Sequence, residues 1–135
     1  MHGTVWKMIY LARRNPQLSA EAFPQAWREH AALGRQCRNV GQRVQAVAQC
    51  ARVLHADAPA LSRDHDGVNL MVLADRASGQ LIWEDPETLS IMRPDEPRVF
   101  ADYVRNFALL CKEQVLVDTH GSSGRPQNGQ VILIG

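Results

Sequence analysis

Hydrophobic and polar positions change period along the chain, and the changes mark its elements. Residues 5–13, VWKMIYLAR, alternate as a strand does, with Trp6, Met8, Tyr10 and Ala12 on one face. Val5, Lys7, Ile9, Leu11 and Arg13 take the other. Both faces are mainly apolar, which predicts cover on both sides. Pro16 punctuates the turn RNPQLS. The period then becomes helical. Phe23, Trp27 and His30 stand at steps of four and three and share one face of a helix that ends near Gly34. Ser19 is a candidate N-cap, and Glu21 suits the positive end of the helix dipole. Pro24 has no amide to offer Ala20, so either the first turn is irregular or the regular helix begins near Pro24.

Residues 43–54, RVQAVAQCARVL, alternate less cleanly, with Val44, Ala46, Ala48 and Cys50 on one face. A strand is the better reading, with a helix as its competitor because of the alanines. A polar loop, HADAPALSRDHDG, leads through an Asp66-Gly67 turn into a third strand, VNLMVLA, at 68–74. A short helix fits ASGQLIWED, and the proline-rich IMRPDEPR reads as a loop. Val99, Tyr103, Phe107 and Leu110 predict a helix over VFADYVRNFALL, followed by a fourth strand in EQVLVD. The order is β-α-β-β-α-β, an α+β, ferredoxin-like arrangement with an antiparallel sheet and helices on one face only. The bare face needs cover, and a second copy is the simplest source. Residues 1–118 thus read as one domain. Residues 119–135 read as a flexible connector, THGSSGRPQNG, with an extra C-terminal strand, QVILI.

The 135 residues suit a single domain, and 45% hydrophobic against 21% charged is ordinary for a globular protein. The formal net charge is +1, with the basic residues scattered. That leaves no footprint for nucleic acid or an anionic membrane. An RNA-binding version of the topology needs base-stacking aromatics on two central strands, and the second and third strands have none. Three cysteines without a CxxC spacing argue against a disulfide framework or a zinc knuckle. The opening MHGTVWKMIYLARR carries no signal-peptide pattern, and no apolar run is long enough to span a membrane, so a cytoplasmic location is expected.

Among candidate chemical groups His30 stands first, because a histidine can give or take a proton near neutrality. The alternative is a hydrogen-bonded structural histidine. Phe23 and Trp27 fit either core or pocket wall. The loop residues His55, Asp57, Asp64, His65 and Asp66 are metal-ligand types without a ligand spacing, and no metal is expected. No GxSxG, no Cys beside a His and no phosphate-cradling glycine motif occurs.

The run KMIYLARRNPQLSAEAFPQAWREHAALGR resembles the opening of EthD-like proteins, in which a strand, S-x-E-x-F and F-x-x-x-W-x-x-H-A follow one another. Those elements stand here as Ser19, Glu21, Phe23, Trp27, His30 and Ala31. Looser matches reach to about residue 118. The resemblance implies a homodimer in which two ferredoxin-like subunits form an α/β barrel, each with a pocket between sheet and helices. EthD itself is linked to degradation of ethyl tert-butyl ether. Relatives of the fold include muconolactone isomerases, polyketide cyclases and haem-degrading monooxygenases. Many relatives carry Y-V-Q-N-H on the second strand, whereas RVQAVAQ here has neither the tyrosine nor the histidine. The expected function is binding of a small hydrophobic, aromatic or lactone ligand against Trp6, Tyr10, Phe23 and Trp27, with His30 moving a proton in an isomerisation or cyclisation. No cofactor is expected for that reading. A non-catalytic accessory or carrier protein and a haem-linked monooxygenase are the alternatives.

Overall fold

The computed structural model describes residues 3–55 and 61–119. Strand β1 (Trp6–Ala12) is followed by helix α1 (Phe23–Ala32), a short helix α2 (Arg38–Gly41), and the strands β2 (Val44–Ala51) and β3 (Gly67–Leu73). Helix α3 (Ser78–Glu84), helix α4 (Glu96–Val99) and strand β4 (Ala108–Lys112) complete the described chain. The four strands form one sheet in the order β2-β3-β1-β4, and every neighbouring pair is antiparallel. The architecture is α+β and ferredoxin-like. The QVILI strand expected at the end of the chain lies outside the described residues.

Register assigns the faces. Trp6, Met8, Tyr10 and Ala12 lie opposite Leu73, Met71, Asn69 and Gly67 of β3, and all eight point to the helix side. Lys7, Ile9 and Leu11 pair with Val72, Leu70 and Val68 on the other side. Leu11 and Leu109, which belong to that second face, remain 50% and 66% exposed. Within the described chain, then, β1 is sealed on one side, where cover on both was expected.

Strand β2 departs from the simple alternation. Its register shifts between Val44 and Ala46, where a bulge inserts one residue. Val44 therefore faces the helices together with Val47 and Gln49, while Ala46, Ala48 and Cys50 face away. The single face expected for Val44, Ala46, Ala48 and Cys50 is split by that one residue.

Helix α1 begins at Phe23, so Pro24 occupies the first turn, where its missing amide costs nothing. Ser19 caps the irregular turn before it: its hydroxyl accepts the Ala22 amide at 3.1 Å and its carbonyl accepts the Phe23 amide at 3.2 Å. At the far end the helix does not stop at a left-handed glycine. It tightens into a 3-10 segment, Leu33–Gln36, that contains Gly34.

Two expectations for the second half are corrected. The helix expected over residues 99–110 and the strand expected at 113–118 are both displaced. Val99 ends α4, residues Val104–Phe107 form a single 3-10 turn, and the edge strand is Ala108–Lys112. The steps from Val99 to Leu110 mimic a helix, but Phe100 is extended and bridges Arg14. The helical material lies earlier, broken by prolines. Pro94 and Pro97 each open a new short turn instead of marking a loop.

The core lies between sheet and helices. Phe23 and Trp27 stack with ring centroids 5.1 Å apart, and Tyr10 and Phe100 meet edge to face. Trp27 reaches the sheet because Gly67 has no side chain. A Cβ there would stand 2.7 Å from the indole ring and 2.8 Å from the Cys50 carbonyl. Asp66 ties the strand ends together: Arg14 donates to it through its backbone amide at 2.9 Å and its guanidinium at 2.7 Å. That carboxylate is a structural clamp. Among the described residues no three His, Cys, Asp or Glu side chains are grouped to hold a metal ion.

Candidate functional site

Helix α1 presents Phe23, Trp27 and His30 on one buried face, with Ala26 beside them. The first two are 1% exposed and belong wholly to the core. His30, one turn beyond Trp27, is 6% exposed and packs edge-on against Phe100. The stripe therefore runs from solid core to the rim of a cavity.

That cavity has a volume of about 360 Å³ and lies between the sheet and the crossover segments. Its size suits a small organic molecule. Its wall is mostly apolar, with Val44, Val47, Met71, Ile82, Trp83 and Met92 contributing. The polar residues that border it are Tyr10, His30, Arg35, Gln49, Asn69, Thr88 and Glu96, with Cys37 beside them. Of the five residues expected from the sequence to form the site, the structure brings only Tyr10 and His30 to this cavity. Trp6 sits at the far end of β1 beneath the Arg76 guanidinium, and Phe23 and Trp27 are packed behind the wall. Their aromatic bulk supports the site without lining it.

The His30 ring is held by a residue far along the chain. Its Nδ1 lies 2.9 Å from Oδ2 of Asp95. Asp95 is gripped in turn by Arg98, whose Nε and Nη2 donate to its two oxygens at 2.8 Å and 3.1 Å. Arg98 also donates to Glu29 on α1 at 3.2 Å. The Arg98 contact holds the Asp95 carboxyl below its ordinary range. An ionised carboxylate only accepts, so Nδ1 carries the proton and Nε2 of the neutral ring is basic. Burial outweighs the Asp95 contact and lowers the His30 pKa, favouring that neutral ring. No described residue hydrogen-bonds Nε2, yet no polar side-chain atom among the described residues is both sealed and unpartnered. Nε2 therefore reaches accessible surface, where the ring borders the cavity.

Glu96 is biased the other way. It is 6% exposed, and desolvation raises its pKa although one oxygen accepts the Val104 amide at 2.7 Å. One wall of the cavity thus offers an unprotonated ring nitrogen that can accept a proton, and another a carboxyl inclined to keep one. The Tyr10 hydroxyl accepts the Trp27 indole N–H at 3.0 Å, and burial drives its pKa far up, so it stays a neutral phenol. Cys37 also borders the cavity, but burial together with Glu87 and Asp85 raises its thiol pKa and disfavours the nucleophilic thiolate. Cys50 faces the opposite side of the sheet.

Asp95, Glu96, Gln49 and Asn69 carry no local signal in the sequence. Asp95 and Glu96 fall in a segment that reads as loop, and the facing of Gln49 depends on the bulge in β2. A second recess, of about 540 Å³ near Asp75 and Asp85, is polar, and its carboxylates are engaged locally. Asp75 caps Ser78, and Asp85 accepts from Asn39 and from the Glu87 and Thr88 amides.

The arrangement can be set beside known proteins. No curated protein matches the chain. Among solved structures it is similar to a dimeric ferredoxin-like protein of unknown function from Thermobifida fusca. The two are 14% identical with a TM-score of 0.55, over 84% of this chain and 94% of that one. It is also similar to a hypothetical protein from Arabidopsis thaliana, at 11% identity and a TM-score of 0.53, over 87% of this chain and 93% of that one. At these identities the likeness concerns the fold. The EthD domain pattern matches residues 15–103, more than half of the chain, and the matched stretch includes both His30 and Asp95. The chain belongs to the EthD domain family.

Proposed function

We propose that the protein binds a small, largely apolar molecule bearing a carbonyl group and moves a proton on it, with His30 as the base. The observation that carries this reading is the oriented ring. Asp95 fixes Nδ1 as the donor, which leaves Nε2 basic at the edge of a mostly apolar cavity. A carbon next to a carbonyl is acidic enough for such a base when the charge that develops on oxygen is stabilised. In the step, the C–H bond breaks, its proton passes to Nε2, and its electron pair becomes the enolate. Asp95 balances the imidazolium that forms. Return of the proton to a different carbon gives an isomerised product, and attack of the enolate on a second carbonyl gives a ring. Glu96, inclined to hold a proton, borders the same space and can supply one.

The site belongs, in this reading, to a homodimer. The sheet face carrying Ile9, Leu11, Val68, Leu70 and Leu109 is apolar, and Leu11 and Leu109 are exposed in the single chain. A second copy packed on that face would bury them, and the similar Thermobifida fusca protein is described as dimeric.

Deuterium uptake from D2O into 2-tetralone, an enolisable bicyclic ketone, tests the proton transfer. The wild-type protein should accelerate exchange beside the carbonyl, and His30→Ala should abolish the acceleration. Binding of the ketone without accelerated exchange would favour the non-catalytic carrier instead.

A further inference from the structure

Asn69 occupies an unusual position on the floor of the cavity. It lies in the middle of β3, flanked across the sheet by Tyr10 on β1 and Gln49 on β2, all on the helix side. The residue is 2% exposed. A buried carboxamide normally finds hydrogen-bond partners, because leaving its donors and acceptor unpaired costs free energy. Its two neighbours find theirs. The Tyr10 hydroxyl accepts from Trp27, and Gln49 Nε2 donates to the Trp27 carbonyl at 3.2 Å. No described residue pairs with the Asn69 carboxamide. It is not sealed in, since no fully enclosed polar side-chain atom among the described residues lacks a partner. The accessible space beside it is the cavity it borders.

We infer that the Asn69 carboxamide is the oxygen-binding subsite of this cavity, donating through Nδ2 to the carbonyl oxygen of the ligand. The inference rests on the reading of the cavity as a carbonyl-ligand site. An amide suits this role better than a charged group would. It donates to a ketone, a lactone or the enolate formed from either, and it does not titrate. Its neighbours hold it in place, with Gln49 pinned to the backbone of α1 on one side and Tyr10 pinned to Trp27 on the other. The apolar lining takes the rest of the ligand. The class selected is then a cyclic ketone or lactone with one hydrocarbon face. A pure hydrocarbon of the same shape would leave the carboxamide desolvated and unpaired.

Paired titrations of the full chain with 2-tetralone and tetralin test the subsite, followed by NMR. The two probes share a bicyclic skeleton, and only the first carries an oxygen. The quantity of interest is the ratio of the two dissociation constants. Asn69→Leu should shift that ratio about tenfold toward tetralin, roughly the loss of one buried hydrogen bond. Asn69→Ala should shift it in the same direction, and it serves if the leucine variant fails to fold. A ratio unchanged in both variants, or wild-type protein that does not bind 2-tetralone, overturns the subsite. Deuterium exchange reports on the proton transfer separately. If the ratio shifts as expected and the wild type accelerates no exchange, the subsite stands and His30 catalysis falls. If exchange is accelerated and the ratio does not respond to Asn69, catalysis stands and the subsite falls.

Discussion

His30 and Asp95 are separated by 65 positions in sequence, yet Nδ1 of one lies 2.9 Å from Oδ2 of the other. The pair joins the end of the first crossover helix to the broken second crossover. It fixes which ring nitrogen is free, and Arg98 keeps the carboxylate ionised.

The pair acts as a unit, so weakening Asp95 should cost nearly as much as losing the base. Asp95→Asn removes the charge that balances the imidazolium and lets the ring turn to the wrong tautomer. It should lower the rate of 2-tetralone exchange by about a hundredfold, within the usual range for general-base catalysis. Binding of 2-tetralone should change little. A variant that exchanges at the wild-type rate would show that Asp95 only packs.

Stability should depend on pH with opposite signs at two groups. The folded His30 pKa lies below its ordinary value, so the unfolded chain takes up this proton first. The contribution is full above the ordinary histidine pKa and is lost as pH falls toward the folded value. Glu96 is shifted upward, so its contribution is full below the ordinary glutamate pKa and is lost as pH rises through the folded value. Thermal melts should therefore show a smaller fall in Tm from about pH 7 to about pH 5 for His30→Gln than for the wild type. Glu96→Gln keeps the acceptor for the Val104 amide and should gain Tm relative to wild type at neutral pH but not in acid.

Trp27 is a structural residue whose ring depends on a missing Cβ. Trp27→Ala should cost about 3–5 kcal/mol in denaturant unfolding. Gly67→Ala forces a methyl group against the indole and the Cys50 carbonyl and should cost about 1–3 kcal/mol. A neutral Gly67→Ala would mean that the helix does not sit this close to β3.

The stripe of Phe23, Trp27 and His30 was legible because a ten-residue helix writes its buried face into the sequence at fixed steps. Strand β1 was legible for the same reason, at period two. What escaped depends on contacts that local spacing does not encode. One inserted residue in β2 turns Gln49 toward the cavity and Cys50 away from it. Val99, Tyr103, Phe107 and Leu110 imitate a helix, although the chain there runs through a bridge, one 3-10 turn and a strand. Asp95 sits among prolines and looks like loop, and only the folded second crossover brings it to His30.

The exposed sheet face offers a separate check. Leu109→Glu places a charge on the exposed sheet face of the proposed contact between copies and should convert a dimer to a monomer in sedimentation velocity, with the far-UV spectrum unchanged. A wild-type protein that sediments as a monomer at high concentration would show that this face does not pair two copies.

In the proposed proton transfer, His30 is a neutral base whose free nitrogen is Nε2. Nitrogen-15 NMR of the imidazole ring through a pH titration measures both properties at once. That mechanism requires a proton on Nδ1, an unprotonated Nε2 whose signal moves when 2-tetralone is added, and a pKa below the ordinary histidine value. A proton on Nε2, or a pKa above that value, would contradict it.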